Sequence, residues 1–291
     1  MDLYGEAFRR NIGLLTEAEQ ERIRSSKVAI AGLGGVGGIH LATLARIGVG
    51  GFHIADNDVF ETANLNRQYG ATVASMNRKK TDVMAEVARA INPEARVTAF
   101  SEGVTEKNVD EFLSGVGLVV DGIDFFSIDI RRLLFNRARE RGVYAVTSGP
   151  IGFGSTLQIF APSGMSFDEY FGINDRMSEM EKIAAFAVGL APRPFHLRYM
   201  DLSKVDLAAG TAPSLASACA LCAALVATEA VKILLQRGSV KAVPHYFQFD
   251  PYRRLCKKGY LFWGAKNPLQ YIKRKVLLKR VARLIKRQAP P

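Results

Sequence analysis

Hydrophobic positions along the first half of the chain alternate between short strand-like runs and longer helix-like faces. A β-branched run over Lys27–Leu33 precedes a glycine cluster, an apolar helix through Ile47 and a second strand over Gly51–Ala55. Further strands are predicted over Ala95–Phe100, Val116–Val120 and Val143–Thr147, and helices over Thr105–Leu113 and Arg131–Arg141. Strands that alternate with helices are typical of a parallel sheet covered by helices.

The pattern changes after Ser148. The next segment, GPIGFGSTLQIFAP, predicts Gly-rich antiparallel strands, and 163–214 is largely irregular around one helix over Ser178–Val188. Such a stretch indicates a mobile crossover loop that covers a substrate. An apolar helix over Ala216–Gln236 and a last strand, HYFQFD, follow. The predicted fold class is therefore α/β: a Rossmann-like, mostly parallel sheet with helices on both faces and an antiparallel C-terminal extension.

Charge divides the chain into a nearly neutral body and a basic tail. The net charge is +11, and the last 41 residues hold 13 Lys or Arg and no acid. We therefore expect a helical segment over 1–26, one nucleotide-binding domain over 27–250 and an amphipathic tail over 251–291. Along Lys266–Arg287, Leu277, Leu278, Val281, Leu284 and Ile285 share one helical arc. This tail is suited to tRNA, to an anionic membrane surface, to a partner protein, or to packing on its own domain.

Composition excludes several classes of protein. Hydrophobic residues make up 48% and charged residues 23%, as in globular domains. Charged residues interrupt every apolar stretch before it reaches a membrane-spanning length, and no secretory signal is expected. Three cysteines are too few for a disulfide framework, so a cytoplasmic location is expected.

The glycine cluster between the first strand and helix has the features of a phosphate-binding loop. Its members include Gly32, Gly34, Gly35 and Gly37. Glycine lets the backbone approach an anion, and the helix N-terminus presents free N–H groups to it. Asp56 follows Gly35 by 21 residues, about where a carboxylate binds a ribose hydroxyl. The alternative is a turn needed only for close packing of helix on strand.

Polar residues that follow the second and fourth strands extend this candidate site. Asn64 and Arg67 lie in a polar segment, and Lys80 opens the next helix. An arginine binds anionic oxygens bidentately, so the set favours a triphosphate over a neutral ligand. Asp121 and Asp124 follow the fourth strand, where a carboxylate can hold Mg²⁺ with the phosphates. For Asp124 the alternative is a helix N-cap.

Cys219 and Cys222 form a CxxC pair inside an apolar helix. A structural zinc site needs four ligands, and only Cys256 remains. We therefore expect two buried small residues and no zinc site. The histidines share no ligand spacing and are expected to be structural.

The motifs AGLGGVGG, DNDVFETANLNRQ, NRKK, INPEARV and VDGID together resemble the ThiF/MoeB/HesA family, relatives of the ubiquitin-activating enzymes. The resemblance covers about residues 7–250. It implies an ATP-dependent adenylyltransferase that uses Mg²⁺ and ATP to activate a carboxylate, releases pyrophosphate and forms a homodimer. The substrate would be the C-terminus of a small carrier protein or peptide, or a carboxylate on a tRNA base.

The resemblance also implies roles for individual residues. Gly35 would lie in the phosphate loop and Asp56 would bind the ribose. Asn64, Arg67 and Lys80 would contact ATP phosphates, Asp124 would accompany Mg²⁺, and Arg10 would reach into a partner subunit's site.

Departures from the family pattern keep other functions open. The paired CxxC zinc site of many members is missing, and 163–214 contains no cysteine for a thioester. Two alternatives remain: a catalytically silent scaffold within a heterodimer, and an NAD-dependent oxidoreductase. The second leaves Arg67, Lys80 and Asp124 without a role.

Overall fold

The computed structural model describes the backbone of residues 2–206 and 210–288 and, within these ranges, side chains through residue 281. The α-helices in these ranges are α1 Leu3–Phe8, α2 Glu17–Ser25, α3 Gly37–Ile47, α4 Lys80–Ile91, α5 Val109–Phe112, α6 Ile128–Glu140, α7 Phe167–Phe171, α8 Glu179–Leu190, α9 Ala216–Leu235 and α10 Pro268–Gln288. The strands are β1 Lys27–Ala31, β2 Gly51–Ala55, β3 Arg96–Phe100, β4 Leu118–Asp121, β5 Tyr144–Thr147, β6 Pro150–Ile151, β7 Gly154–Phe160, β8 His245–Asp250 and β9 Leu255–Tyr260. The predicted alternation of strand and helix is confirmed through β5.

The described strands form one sheet in the order β3-β2-β1-β4-β5-β7-β8-β9, and β6 pairs with β7. The first five strands of this order are parallel, and β7, β8 and β9 extend the sheet antiparallel. Chain order reverses at β1, which pairs with β2 on one side and β4 on the other. Open α/β sheets bind ligands outside the carboxyl ends of the strands at such a point. The predicted fold class is confirmed.

Helices cover both faces of the sheet because both faces are apolar. Along β1, Val28 and Ile30 belong to one buried cluster, while Ala29 and Ala31 belong to the other. The first cluster holds side chains of α2, α3, α4 and α9, and the second those of α5 to α8. A strand that is buried on both sides has a continuous run of apolar residues, and this run allows β1 to be predicted from the sequence.

The prediction that HYFQFD is the last strand is wrong. Residues Leu255–Tyr260, placed in the tail by their charge, form β9 and pair along the whole of β8, with Lys257 opposite Gln248. This edge strand is mostly exposed, so it lacks the apolar alternation that marks a buried strand. Its lysines are a usual protection of a sheet edge against further pairing.

Half of the stretch predicted to be irregular, 163–214, is packed structure. Helix α8 matches the predicted helix, but α7 was not predicted. Both begin with capping boxes, Ser166 with Glu169 and Ser178 with Glu181. Phe167, Tyr170 and Phe171 of α7 are buried in the second cluster. The longest irregular part of the stretch is therefore the segment after α8. For other helices the structure and the prediction differ only in where the helix begins and ends. Helix α5 is shorter than predicted, and α6 begins three residues earlier than predicted.

The tail helix α10 packs on α8. Of the alternatives predicted for the tail, packing on its own domain is therefore the one that its inner face shows. Leu277 and Leu278 are half-buried, Val281 is buried, and the Lys273 Nζ donates to the Pro192 carbonyl at 2.8 Å. The predicted arc members Leu284 and Ile285 lie outside the described side chains.

The expectation that charged residues interrupt every apolar stretch before a membrane-spanning length is wrong for helix α9, the one described helix that is long and apolar enough to cross a membrane. Half of that window is buried inside the protein, against α3 and β7. Its two charged residues, Glu229 and Lys232, pair with each other at 2.7 Å. A core helix passes the same test of length and composition, so this finding is weak evidence for a membrane span.

Candidate functional site

The glycine loop between β1 and α3 combines tight packing with open space. Gly32 has a φ of +83°, and a Cβ there would lie 2.1 Å from the Gly122 carbonyl oxygen. At Gly37 a Cβ would lie 1.8 Å from the Gly32 oxygen. These two positions exclude any side chain for reasons of packing, which is the alternative raised from the sequence.

Gly34 and Gly35 are different. At Gly34 the nearest atom to a Cβ would be the Gln68 Nε2 at 3.7 Å, and at Gly35 it would be the Cys219 Sγ at 3.3 Å, with the Arg67 Cγ at 3.9 Å. Backbone atoms therefore do not crowd these two positions, and Gly34 is the more open of the two. Gln68 is buried there, and its Oε1 has no hydrogen-bond partner among the described residues. A buried polar atom without a partner is costly unless something else, such as a ligand, satisfies it.

Asp56 follows β2 and is bound to the glycine loop. Its Oδ2 accepts from the Leu33 N–H at 2.6 Å, and its Oδ1 accepts from the Asp58 N–H at 2.9 Å. The pKa of this carboxyl is raised because burial, the largest influence, outweighs the opposing effects of the Lys80 cation and the two N–H donors. The acid predicted from spacing thus lies beside the loop, where it can accept from a sugar hydroxyl.

The Asn64–Gln68 segment lines the opposite side of the loop. The Asn64 Oδ1 is occupied locally, because it accepts from the Glu61 N–H at 3.0 Å. Its Nδ2 is the group that can donate to a phosphate oxygen. The Arg67 Nη1 donates to the Ala63 carbonyl at 2.9 Å and to the Asn66 Oδ1 at 2.8 Å. These bonds hold the Arg67 side chain, whose Cγ and Cδ lie nearest to Gly35.

Lys80 is the first residue of α4 and lies almost fully buried. Its side chain is 6% exposed and donates to the Asp58 Oδ2 at 2.9 Å, while the Asp58 side chain is 63% exposed. Asp58 was not predicted as a site residue from the sequence. Its position two residues after Asp56 places both acids in one loop, and that spacing could have indicated it. An exposed carboxylate is a partner that a phosphate can replace.

Asp124 lies in the turn after β4, and the structure contradicts its alternative role as a helix N-cap. Its side chain is exposed, and the Oδ1 accepts from the Phe126 N–H at 3.0 Å in a turn before α6. It does not cap the helix, since the residue at the N-cap is Ser127. Gly122 packs against Gly32, so this turn adjoins the glycine loop.

A buried ion pair beneath the turn was missed by the sequence reading. The Arg131 Nε donates to the Asp121 Oδ2 at 2.8 Å, and the two side chains are 3% and 2% exposed. The Arg131 Nη2 also donates to the Ile123 and Asp124 carbonyls at 2.5 and 3.1 Å. Its Cζ lies 4.5 Å from the centre of the Phe186 ring of α8. Arg131 therefore positions the turn that carries Asp124 and ties it to α8.

Arg10 is not part of this cluster within one chain. It is exposed in the turn Arg9–Asn11, and the adjacent Asn11 donates to the Ile47 carbonyl at 3.0 Å, at the C-terminal end of α3. Helix α3 has 11 residues, so the glycine loop lies about 16 Å away at its other end. Arg10 can meet such a site only on a second copy of the chain.

Both cysteines of the CxxC pair are buried as predicted. Burial raises the pKa of Cys219, and it raises the pKa of Cys222 to about 12. Among the described residues, no three His, Cys, Asp or Glu side chains are grouped to hold a metal ion. An Mg²⁺ ion bound with phosphates needs only one or two carboxylates, so Asp124 with its second oxygen fits that requirement.

The glycine loop thus contacts three of the predicted segments: Asp56 accepts from its Leu33 N–H, Arg67 and Gln68 lie beside Gly35 and Gly34, and Gly122 of the Asp124 turn packs against Gly32. Lys80 is joined to the Asp56 segment through Asp58. Loop amides at the start of a helix, together with an arginine and a lysine, are groups that bind phosphates.

The chain is similar to known proteins in sequence and in fold. The model described as the ThiF family matches residues 8–259. The tRNA threonylcarbamoyladenosine dehydratase of Escherichia coli (strain K12) is 34% identical over 152 residues, 52% of this chain and 56% of that protein. The sulfur carrier protein ThiS adenylyltransferase of the same organism is 28% identical over 143 residues, 49% and 56% of the two chains. The chain thus spans about half the length of the curated relatives it matches. The crystal structure of PaaA superposes with a TM-score of 0.68 at 19% identity, covering 89% of this chain and 74% of PaaA.

Proposed function

Because this chain belongs to the ThiF family, we propose that it is an ATP-dependent adenylyltransferase that activates a carboxylate. A carboxylate oxygen attacks the α-phosphorus of ATP, the bond to the bridging oxygen breaks, and pyrophosphate leaves with that electron pair. The observation that carries the proposal is the position of Lys80, which is buried near the Asp56 carboxylate that binds the glycine loop. Among the described residues its side chain donates to one group, the exposed carboxylate of Asp58.

Each residue supports one part of this reaction. Loop amides at Gly34 and Gly35 receive phosphate oxygens, and Asp56 accepts from a ribose hydroxyl. Arg67 and Lys80 stabilise the negative charge that increases in the transition state, and no side-chain nucleophile is needed. Asp124 would hold Mg²⁺, which when bound neutralises phosphate charge.

The substrate and the assembly follow from the same reading. Two relatives are named for a tRNA base and for a small sulfur carrier, so the carboxylate would be that of a tRNA base or of a carrier-protein or peptide C-terminus. With no cysteine in 163–214, the acyl-adenylate is attacked directly by an amine, hydroxyl or sulfur nucleophile. A cytoplasmic homodimer would place Arg10 of one copy at the site of the other.

The test is exchange of labelled pyrophosphate into ATP, with threonylcarbamoyladenosine-containing tRNA and small carrier proteins as probes. Lys80→Ala should abolish exchange, and Lys79→Ala, its exposed neighbour, should leave it unchanged. Asp124→Asn keeps an oxygen for the Phe126 N–H but loses the charge, so exchange should fall while the turn persists. Asp82→Asn is its matched control on an exposed position of α4.

Unchanged exchange in Lys80→Ala and Asp124→Asn would remove the site assignment. Binding of ATP without exchange on any probe would favour the silent scaffold. Tight binding of NAD(H) with no affinity for ATP would favour the oxidoreductase.

A further inference from the structure

Large apolar side chains are concentrated on the surface of the C-terminal extension. Seven of them between residues 260 and 276 are exposed: Tyr260 47%, Phe262 62%, Trp263 69%, Leu269 64%, Tyr271 45%, Ile272 55% and Val276 45%. All seven lie beyond residue 259, where the match to the family model ends. The nucleotide site does not use it.

Helix α10 has two different faces. Its inner face packs on α8 through residues such as Leu277 and Val281. Leu269, Ile272 and Val276 recur at i, i+3 and i+7, so they share the outer face. Exposed cations surround them: Lys266, Lys275, Lys279 and Arg280.

Charge on this outer face is of one sign. No acidic residue follows Asp250, and in the part of the chain that the structure describes no later Lys or Arg forms a salt bridge. The Lys275 Nζ instead lies 4.5 Å from the centre of the Tyr271 ring. Two copies of such a face would repel each other, so the complementary surface is anionic.

We propose that this outer face, together with Phe262 and Trp263, binds the surface of an anionic lipid bilayer. Aromatic rings sit at the headgroup level, aliphatic side chains enter the acyl boundary, and lysines attract anionic lipids. A nucleic acid would use the aromatic rings and the cations. It would leave the aliphatic row of Leu269, Ile272 and Val276 without a role, and the bilayer uses all three kinds of group.

Trp263 makes the proposal directly measurable, because it is the only tryptophan in the chain. Vesicles of phosphatidylcholine containing phosphatidylserine should shift its emission to shorter wavelength and sediment the full-length protein. Vesicles of phosphatidylcholine alone should do neither, and added salt should reverse the binding.

Two pairs of charge variants separate local from overall charge. Each cation near an anionic surface contributes a factor of about five to binding, so Lys275→Gln with Lys279→Gln should weaken it about thirty-fold. Lys107→Gln with Lys241→Gln removes the same charge from exposed positions elsewhere and should change binding little.

A second pair tests the apolar row. Ile272→Asp should abolish the emission shift, whereas Val73→Asp, at a position that is 85% exposed on the body, should retain it. Equal loss in the charge pair and its control would overturn the proposal, as would the absence of any shift with anionic vesicles. So would quenching of Trp263 by short single-stranded RNA when vesicles have no effect. None of these readouts depends on pyrophosphate exchange.

Discussion

Removing the guanidinium of Arg131 tests whether the ion pair beneath the Asp124 turn organises the site. Arg131→Met keeps the apolar volume over Phe186 but leaves the buried Asp121 carboxylate without its cation at 2.8 Å. Breaking a buried pair from one side costs about 3–5 kcal/mol. Coulomb's law at an effective dielectric of about 20 gives about 4 kcal/mol for unit charges 4 Å apart, so the two figures agree.

The free energy of unfolding in urea at neutral pH should therefore fall by about 3–5 kcal/mol. Asp121→Asn combined with Arg131→Met removes both charges and should recover most of the loss, because the amide oxygen still accepts from the Ile123 N–H. Arg137→Met makes the same change on the same helix at a side chain that is 40% exposed, and should cost at most about 1 kcal/mol.

If the adenylation proposal holds, the single variant should also need more Mg²⁺ for half-maximal exchange. The reasoning is refuted if Arg131→Met costs no more than Arg137→Met, or if the double variant is no more stable than the single one.

Three further predictions concern packing, pH and thiol reactivity. Gly37→Ala places its Cβ 1.8 Å from a carbonyl oxygen and should lower the free energy of unfolding by about 3 kcal/mol or more. Gly34→Ala, where the space is open, should lower it by no more than about 1 kcal/mol. Thermal unfolding of the two variants measures the difference, and equal losses would contradict the prediction. Burial lowers the pKa of His40 from 6.5 to about 3, so below pH 6.5 the unfolded state binds a proton that the folded state does not. The free energy of unfolding should then fall by up to about 1.4 kcal/mol per pH unit until near pH 3. His40→Leu should flatten that slope, since both ring nitrogens lack partners, and an unchanged slope would count against it. A thiol reagent should modify the exposed Cys256 quickly in the native protein. Cys222 is buried and has a pKa of about 12, so it should react only when the protein unfolds. Fast modification of both cysteines in the native protein would be inconsistent with the fold.

Local patterns were enough to predict the first half of the fold and most of the site. Buried strands such as β1 are apolar on both sides, and the glycines and Asp56 directly follow strand ends. Adjacent parallel strands end at the same edge of a sheet, so residues after each strand meet without further information.

Other features depended on contacts between segments that are distant in the chain. Strand β9 exists because β8 supplies hydrogen-bond partners, not because its lysines favour a strand. The Asn64 oxygen turned out to be occupied, and the Arg131 clamp joins α6, the β4 turn and α8. Periodicity predicts which way a side chain faces, but it does not identify the partner that the side chain contacts. That partner is determined only when the segments pack, and the packing then decides which charge is buried and which stays free for a ligand.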